Sequence, residues 1–224
     1  MSGYRYEMKF VLNESQLSHL FNLAKQNGFK RHFPKRTVNS LYFEDFKFSS
    51  VKDNISGISK RKKLRLRWYD KDNTSPSLEI KKRLGRIGNK IKIKTSFING
   101  DEVEKMNSNE IKKVLNRNLN NKNQFLIDPN LHPLLLVRYD REYFISSQGL
   151  RLTIDKNICF SSVSKFNSIK TKKKFNYNKK IVEIKFPIEQ KQTLIKILKK
   201  TDLIPTRHSK YLVGIAKLGL CSYI

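Results

Sequence analysis

Acidic side chains are scarce in this chain: 19 Asp and Glu stand against 47 Lys and Arg, a formal charge of +28 at pH 7 over 224 residues. Such a balance repels basic partners and attracts anions, whether nucleotides, polyphosphate, nucleic acid or a lipid surface, without choosing among them. Cysteine is nearly missing. Cys159 and Cys221 are too few and too widely spaced for a disulfide scaffold or a cysteine zinc site, which favours a reducing interior. The four histidines, His19, His32, His132 and His208, have no metal-site spacing, so zinc is not expected. No apolar run approaches the roughly 18 residues that span a bilayer, and the N-terminus turns charged at once. The expectation is a cytoplasmic protein without a transmembrane segment, whose basic surface leaves room for peripheral membrane contact or a separate membrane partner. "LGRIGNK", Leu84–Lys90, lacks the P-loop spacing and its Ser or Thr, and reads as a glycine turn between strands.

What the chain does have is 38% hydrophobic residues, enough for the core of one domain spanning 1–224. No internal repeat or linker divides it. "YRYEMKF" alternates strictly, with Arg5, Glu7 and Lys9 opposite Tyr6, Met8 and Phe10, which is a strand with a charged face. Asn13 and Gln16 form a capping-box pattern before an apolar stripe of Leu17, Leu20, Phe21 and Ala24, and Gly28 should stop that helix. Strands are expected near 38–43, 61–69, 77–82, 90–97, 134–145, 150–155 and 181–186. Helices are expected near 108–119 and 189–200. The basic stretch 164–179 reads as a loop.

The strand faces carry the useful information. In "RKKLRLRWY", Arg61, Lys63, Arg65, Arg67 and Tyr69 share one face, while Leu64, Leu66 and Trp68 occupy the other. Glu79 and Lys81 lie opposite Leu78 and Ile80, and Lys90, Lys92 and Lys94 alternate with Ile91 and Ile93. The period recurs in Tyr139 and Arg141, in Arg151, Thr153 and Asp155, and in Glu183 and Lys185. One such strand would simply face water. Their recurrence beside few amphipathic helices predicts an α+β fold: a closed antiparallel β-barrel tunnel with a charged lumen and surrounding helices. Cations packed around a cavity repel one another unless carboxylates and a polyanion compensate them.

The ordered set "YRYEMKF", "SLYFED", "KLRLRWY", "SLEIKKR", "VRYDREYF", "LRLTIDKNI", "IVEIKFP" and "RHSKYLVG" resembles the VTC domain, the polyphosphate polymerase branch of the CYTH-like triphosphate tunnel metalloenzymes. That resemblance implies a tunnel-shaped barrel that transfers the terminal phosphoryl group of ATP, a substrate rather than a cofactor, to polyphosphate. A divalent ion, Mn²⁺ or Mg²⁺, assists. It implies basic site residues at Arg5, Lys9, Arg65, Arg67, Lys81, Arg141, Arg151 and Lys210, a metal-binding carboxylate at Glu183, and Glu7 as a second candidate helper at the metal. Glu44 stands where the family commonly has aspartate, which alters an orienting contact.

On these positions the chemistry can be laid out. Arg65 and Arg67, one side-chain period apart, suit a clamp on adjacent phosphates at about 6–7 Å spacing. Lys9, Lys81, Lys185 and Lys210 suit the moving phosphoryl group or the acceptor chain, and Lys92, with Lys90 and Lys94, suits a guiding wall. The expected catalytic group is therefore Lys9, Arg65, Arg67, Lys81, Arg141, Glu183 and Lys210. Arg5, Lys92, Arg151 and Lys185 join these cations in binding substrate. An ionised acceptor phosphate needs no strong general base, unlike water. The competing readings are a tunnel triphosphatase hydrolysing nucleotide or inorganic triphosphate, and a non-catalytic polyphosphate or polyanion-binding module. Specific nucleic-acid recognition is not expected, because Trp68 falls on an apolar face rather than among the cations.

Overall fold

The structure is a computed structural model, and it describes residues 5–70, 75–84, 87–119, 128–169 and 174–222. The expected glycine turn at 85–86 lies outside these residues. Nine strands are present among them: β1 (Arg5–Leu12), β2 (Lys30–Glu44), β3 (Lys60–Tyr69), β4 (Ser77–Leu84), β5 (Ile87–Lys94), β6 (His132–Ile145), β7 (Arg151–Ser162), β8 (Lys174–Tyr177) and β9 (Lys180–Pro187). The helices are α1 (Glu14–Gln26), α2 (Ser49–Ile55), α3 (Gly100–Lys105), α4 (Ser108–Asn118), α5 (Lys191–Leu198) and α6 (Lys210–Lys217). A short 3₁₀ turn, Ile188–Gln190, precedes α5.

Hydrogen-bonded strands follow the order β1-β9-β7-β6-β2-β3-β4-β5, with β8 joined to β7. The expectation of a closed barrel with a lumen is therefore corrected. Among the described residues no pairing joins β1 to β5, and the sheet is open. Closure would remedy charged faces and bare edges together, but each has a local remedy. At the β5 edge Lys90, Lys92 and Lys94 are all exposed, and edge lysines deter further strand pairing. Beside β1, the Thr206 N–H donates to the Lys9 carbonyl at 2.8 Å, so that edge is partly covered by a segment that is not a strand. The charged faces, as shown below, carry their own carboxylates.

The chain divides into two compact units, each with its own core. Unit 1 comprises Met1–Thr37, Tyr139–Ile158 and Asn176–Ser209. Its core joins Phe10 and Leu12, Leu152 and Ile154, and Val182, Ile184 and Phe186 from the strands to Leu17, Leu20 and Ala24 of α1 and Leu194 of α5. The α1 helix starts where the sequence indicates: Asn13 accepts the Gln16 N–H at 2.9 Å and Gln16 accepts the Asn13 N–H at 3.1 Å. It ends before Gly28, whose φ of 74° lies in the left-handed region.

Unit 2 comprises Val38–Arg138, Cys159–Phe175 and Lys210–Ile224. Leu41, Leu64, Leu66, Trp68, Leu78 and Ile80 form the sheet side of its core, and Val103, Ile111 and Leu115 of α3 and α4 cover them. Trp68 is 2% exposed, on the apolar face expected for it. Two further asparagine capping boxes, Asn99 with Glu102 and Asn107 with Glu110, begin α3 and α4 separately. Within the stretch read as a loop, Lys174–Tyr177 forms the strand β8. The α6 helix packs closely through Gly214, where an added Cβ would lie 2.8 Å from both Leu135 and Phe160 side chains.

Candidate functional site

In unit 2 the antiparallel register builds rows of side chains across four strands. Tyr42 pairs with Arg65, Arg65 with Glu79, and Glu79 with Lys92. In the neighbouring row Lys63 pairs with Lys81 and Lys81 with Lys90. Glu79 is the centre. It is 2% exposed and accepts Arg65 Nε at 2.9 Å, Arg65 Nη2 at 2.6 Å and Lys90 Nζ at 3.3 Å. Arg67 Nη1 approaches the same carboxylate to 3.9 Å. Burial pushes the Glu79 carboxyl up, but Arg65 and Arg67 outweigh it and hold the group down to about 2.

The two arginines are oriented from β2 as well. Ser40 Oγ accepts Arg67 Nε at 3.0 Å and Nη2 at 2.9 Å, and the Tyr42 hydroxyl accepts Arg65 Nη1 at 3.2 Å. Burial pushes the Tyr42 phenol up, yet Arg65, Arg67 and Lys63 outweigh it and bring it down to about 7. On the same β2 strand the Glu44 carboxyl goes the other way. Burial pushes it up to about 7, even though backbone N–H groups of Ser50 and Asp45 donate to it.

In unit 1, β1, β9 and β7 lie side by side. Lys9 pairs with Glu183 and Glu183 with Thr153; Glu7 pairs with Lys185 and Lys185 with Arg151. Charge alternates along β1 and β9 and between them, whereas on the β7 side Lys185 meets Arg151 and Glu183 meets Thr153. Lys9 Nζ lies 2.7 Å from Glu7 Oε1 and 3.9 Å from Glu183 Oε2, while Lys185 Nζ lies 2.7 Å from Glu183 Oε1. Arg141 is occupied in a bidentate pair with Asp155, at 2.6 and 2.8 Å. Burial pushes the Glu183 carboxyl up; Lys185, Lys9 and Arg141 outweigh it and hold it well below the usual carboxylate range.

The expected residues thus fall into two groups. Lys9, Glu7, Glu183, Lys185, Arg141 and Arg151 gather in unit 1. Arg65, Arg67, Lys81 and Lys92 share the β3–β5 face of unit 2. Arg5 opens β1 opposite Pro187, and its side chain lies outside the described residues. Lys210 begins α6. Sequence reasoning placed Glu79 and Asp155 on charged faces but gave them no role, and it missed Tyr42 and Ser40 as partners of the arginines. Alternation reveals a face, whereas the partner across a strand depends on register.

An α+β sheet that presents rows of cations around buried carboxylates defines a class suited to phosphate-rich anions. Within that class the chain belongs to the VTC domain family, whose model matches residues 4–219, and with it to the CYTH-like triphosphate tunnel superfamily. Solved structures agree at the level of fold. A candidate adenylyl cyclase from Hippeastrum, described as having a dominant triphosphatase activity, is 16% identical with a TM-score of 0.57, covering 94% of this chain and 95% of that one. A candidate adenylate cyclase from Vibrio parahaemolyticus is 10% identical with a TM-score of 0.51, covering 96% and 99%. The PH1819 protein from Pyrococcus horikoshii is 15% identical with a TM-score of 0.50, covering 96% and 98%.

Among the described residues no three or more His, Cys, Asp and Glu side chains form a cluster able to hold a metal, and no helix is long and apolar enough to cross a membrane. A divalent ion that keeps phosphate and water ligands needs only one or two carboxylates. Glu183 and Glu7 fit that donor set: both offer hard oxygens, both contact Lys9, and Glu183 stays ionised in its surroundings.

Proposed function

We propose that the chain is an ATP-dependent polyphosphate polymerase, which transfers the terminal phosphoryl group of a nucleoside triphosphate to inorganic polyphosphate. The observation that carries this reading is the pair of cation arrays, each built around one buried, ionised carboxylate. Arg65 and Arg67 would grip the donor triphosphate. Their guanidiniums are already fixed by Glu79, Tyr42 and Ser40, so little side-chain freedom is lost on binding. The family resemblance gives Lys9 and Arg141 of unit 1, joined by Lys185, the role of offsetting charge on the transferring group, and Lys81 and Lys210 that of steadying donor or acceptor. Arg5, Arg151 and Lys92 would guide the anionic chain. Mn²⁺ or Mg²⁺ held by Glu183, with help from Glu7, would supply Lewis-acid neutralisation of phosphate charge.

A second reading, a triphosphatase, is favoured by the activity described for the Hippeastrum relative. Purified protein with terminally labelled ATP and Mn²⁺ separates the two, run with and without a short polyphosphate primer. A growing ladder with matching ADP supports polymerisation, and free phosphate without chain growth replaces it with hydrolysis. Tight polyphosphate binding without turnover, after Mg²⁺ and other nucleotides are tried, leaves a polyanion-binding module.

A further inference from the structure

We propose that Tyr42, Tyr211 and Glu44 are positioning residues that hold Arg65 and Lys210 in the geometry that binds a triphosphate. This rests on the reading of Arg65 as a phosphate ligand but not on whether the phosphate is transferred or hydrolysed.

Arg65 points its Nε and Nη2 to Glu79 and its Nη1 to the Tyr42 hydroxyl, so the planar fork is held from two neighbouring strands. The Tyr42 ring in turn lies 5.1 Å from the Tyr211 ring, tilted by 40°. Tyr211 directly follows Lys210 in the first turn of α6 and is 2% exposed. Its hydroxyl donates to Oε2 of Glu44. The other oxygen of Glu44 accepts the backbone N–H of Ser50 at 3.0 Å and of Asp45 at 3.3 Å. Lys63 Nζ sits 4.9 Å from the centre of the Tyr211 ring. Tyr211 therefore links the start of α6 to both ends of "YFE", while Gly214 lets the helix lie close on Leu135 and Phe160.

Phenylalanine and leucine could fill this space without burying polar atoms, and a buried polar group costs stability unless each of its bonds is made. What the polar ends add is direction. The Tyr42 hydroxyl sets the rotation of Arg65, and the Tyr211–Glu44 bond sets the depth of α6 and so the origin of the Lys210 side chain. Glutamate at position 44 reaches Tyr211 from its own strand while its second oxygen stays tied to the turn that follows.

The test is a double-mutant cycle on the full chain, with inorganic tripolyphosphate binding measured by titration calorimetry at fixed salt. Tyr42→Phe keeps the ring and removes the hydroxyl; it should weaken binding about tenfold in the wild-type background and less than about twofold in Arg65→Ala, the coupling expected of groups in one network. Tyr211→Phe paired with Lys210→Ala forms a second cycle with the same expectation, and it decides the question if Tyr42→Phe fails to fold by circular dichroism. Equal losses with and without Arg65 would mean a purely structural tyrosine and would overturn the proposal. An Arg65→Ala variant that binds tripolyphosphate normally would remove the phosphate-ligand reading itself, and positioning with it. Because tripolyphosphate binding is the readout, polymerase turnover affects neither outcome.

Discussion

Glu183 in unit 1 and Glu79 in unit 2 are both buried carboxylates surrounded by cations, yet their partners differ in kind. Glu183 is held by two lysines whose side chains remain 28% and 43% exposed, whereas Glu79 is gripped chiefly by Arg65, with Arg67 beside it, exposed by only 19% and 11%, and Lys90 is an outer partner at 3.3 Å. A lysine ammonium is a mobile point charge that can turn to water. A guanidinium fork fixed by several bonds cannot do so without leaving donors unmet. Under the proposed function this difference suits Glu183 to exchange, its lysines giving way to a metal or a phosphate, and Glu79 to construction, since its arginines are tied to β2 and β4 at once.

The largest expected effect tests the exchange side. Glu183→Gln should lower turnover of the proposed polymerase by about 100-fold or more, with a smaller loss of stability than at Glu79 because Lys9 and Lys185 can hydrate. Next, Glu79→Gln should cost about 3 kcal/mol or more of unfolding free energy in urea titration, the penalty for stranding buried charge. If Glu183→Gln unfolded the protein and Glu79→Gln did not, the contrast would be reversed. Smaller again is the effect of swapping cation types: Arg65→Lys should weaken tripolyphosphate binding about tenfold, and Lys185→Arg less than about threefold, in calorimetric titration.

The pH dependence sharpens the same comparison. Glu79 and Glu183 have carboxyl groups held below their ordinary value of 4.5, so the unfolded chain binds their protons first. The stability they contribute is present above that value and is lost as pH falls toward about 2. Glu44 has the opposite sign: raised from 4.5 to about 7, it contributes stability that is full below 4.5 and lost as pH rises through 7. Denaturation midpoints across this range should show both slopes, and Glu44→Gln should flatten only the neutral one. Lys92→Ala, on the exposed edge strand, should change affinity least, by about twofold or less at moderate salt.

Much of this was legible in the alternation of polar and apolar residues. Leu64, Leu66 and Trp68 against Arg65 and Arg67 determine which face is buried, and no tertiary fact alters that. The openness of the sheet was not legible, because alternation names the faces of strands but not which of them pair at the edges. Helix α2 was also hidden: Phe48 before it, at a φ of 53°, offers no side-chain cap, and the acceptors for the Ser49 and Ser50 N–H groups, Asp45 and Glu44, stand outside the usual capping position. The asparagine caps were legible only in part. Asn13, Asn99 and Asn107 each close a capping box, the last two with Glu102 and Glu110 three residues on.

The pairing of β1 with β9 joins strands from nearly opposite ends of the sequence, Arg5–Leu12 with Lys180–Pro187. By contrast, β3, β4 and β5 are consecutive antiparallel neighbours within Lys60–Lys94. Local pairings close short loops and form early, while distant ones wait for chain entropy to be overcome. During synthesis the arginine face can therefore assemble while the ribosome is still at work, but Lys9 has no Glu183 to meet until the ninth strand has emerged. The exchangeable carboxylate array is a late product of folding, and its appearance marks a chain whose two distant strands have found each other.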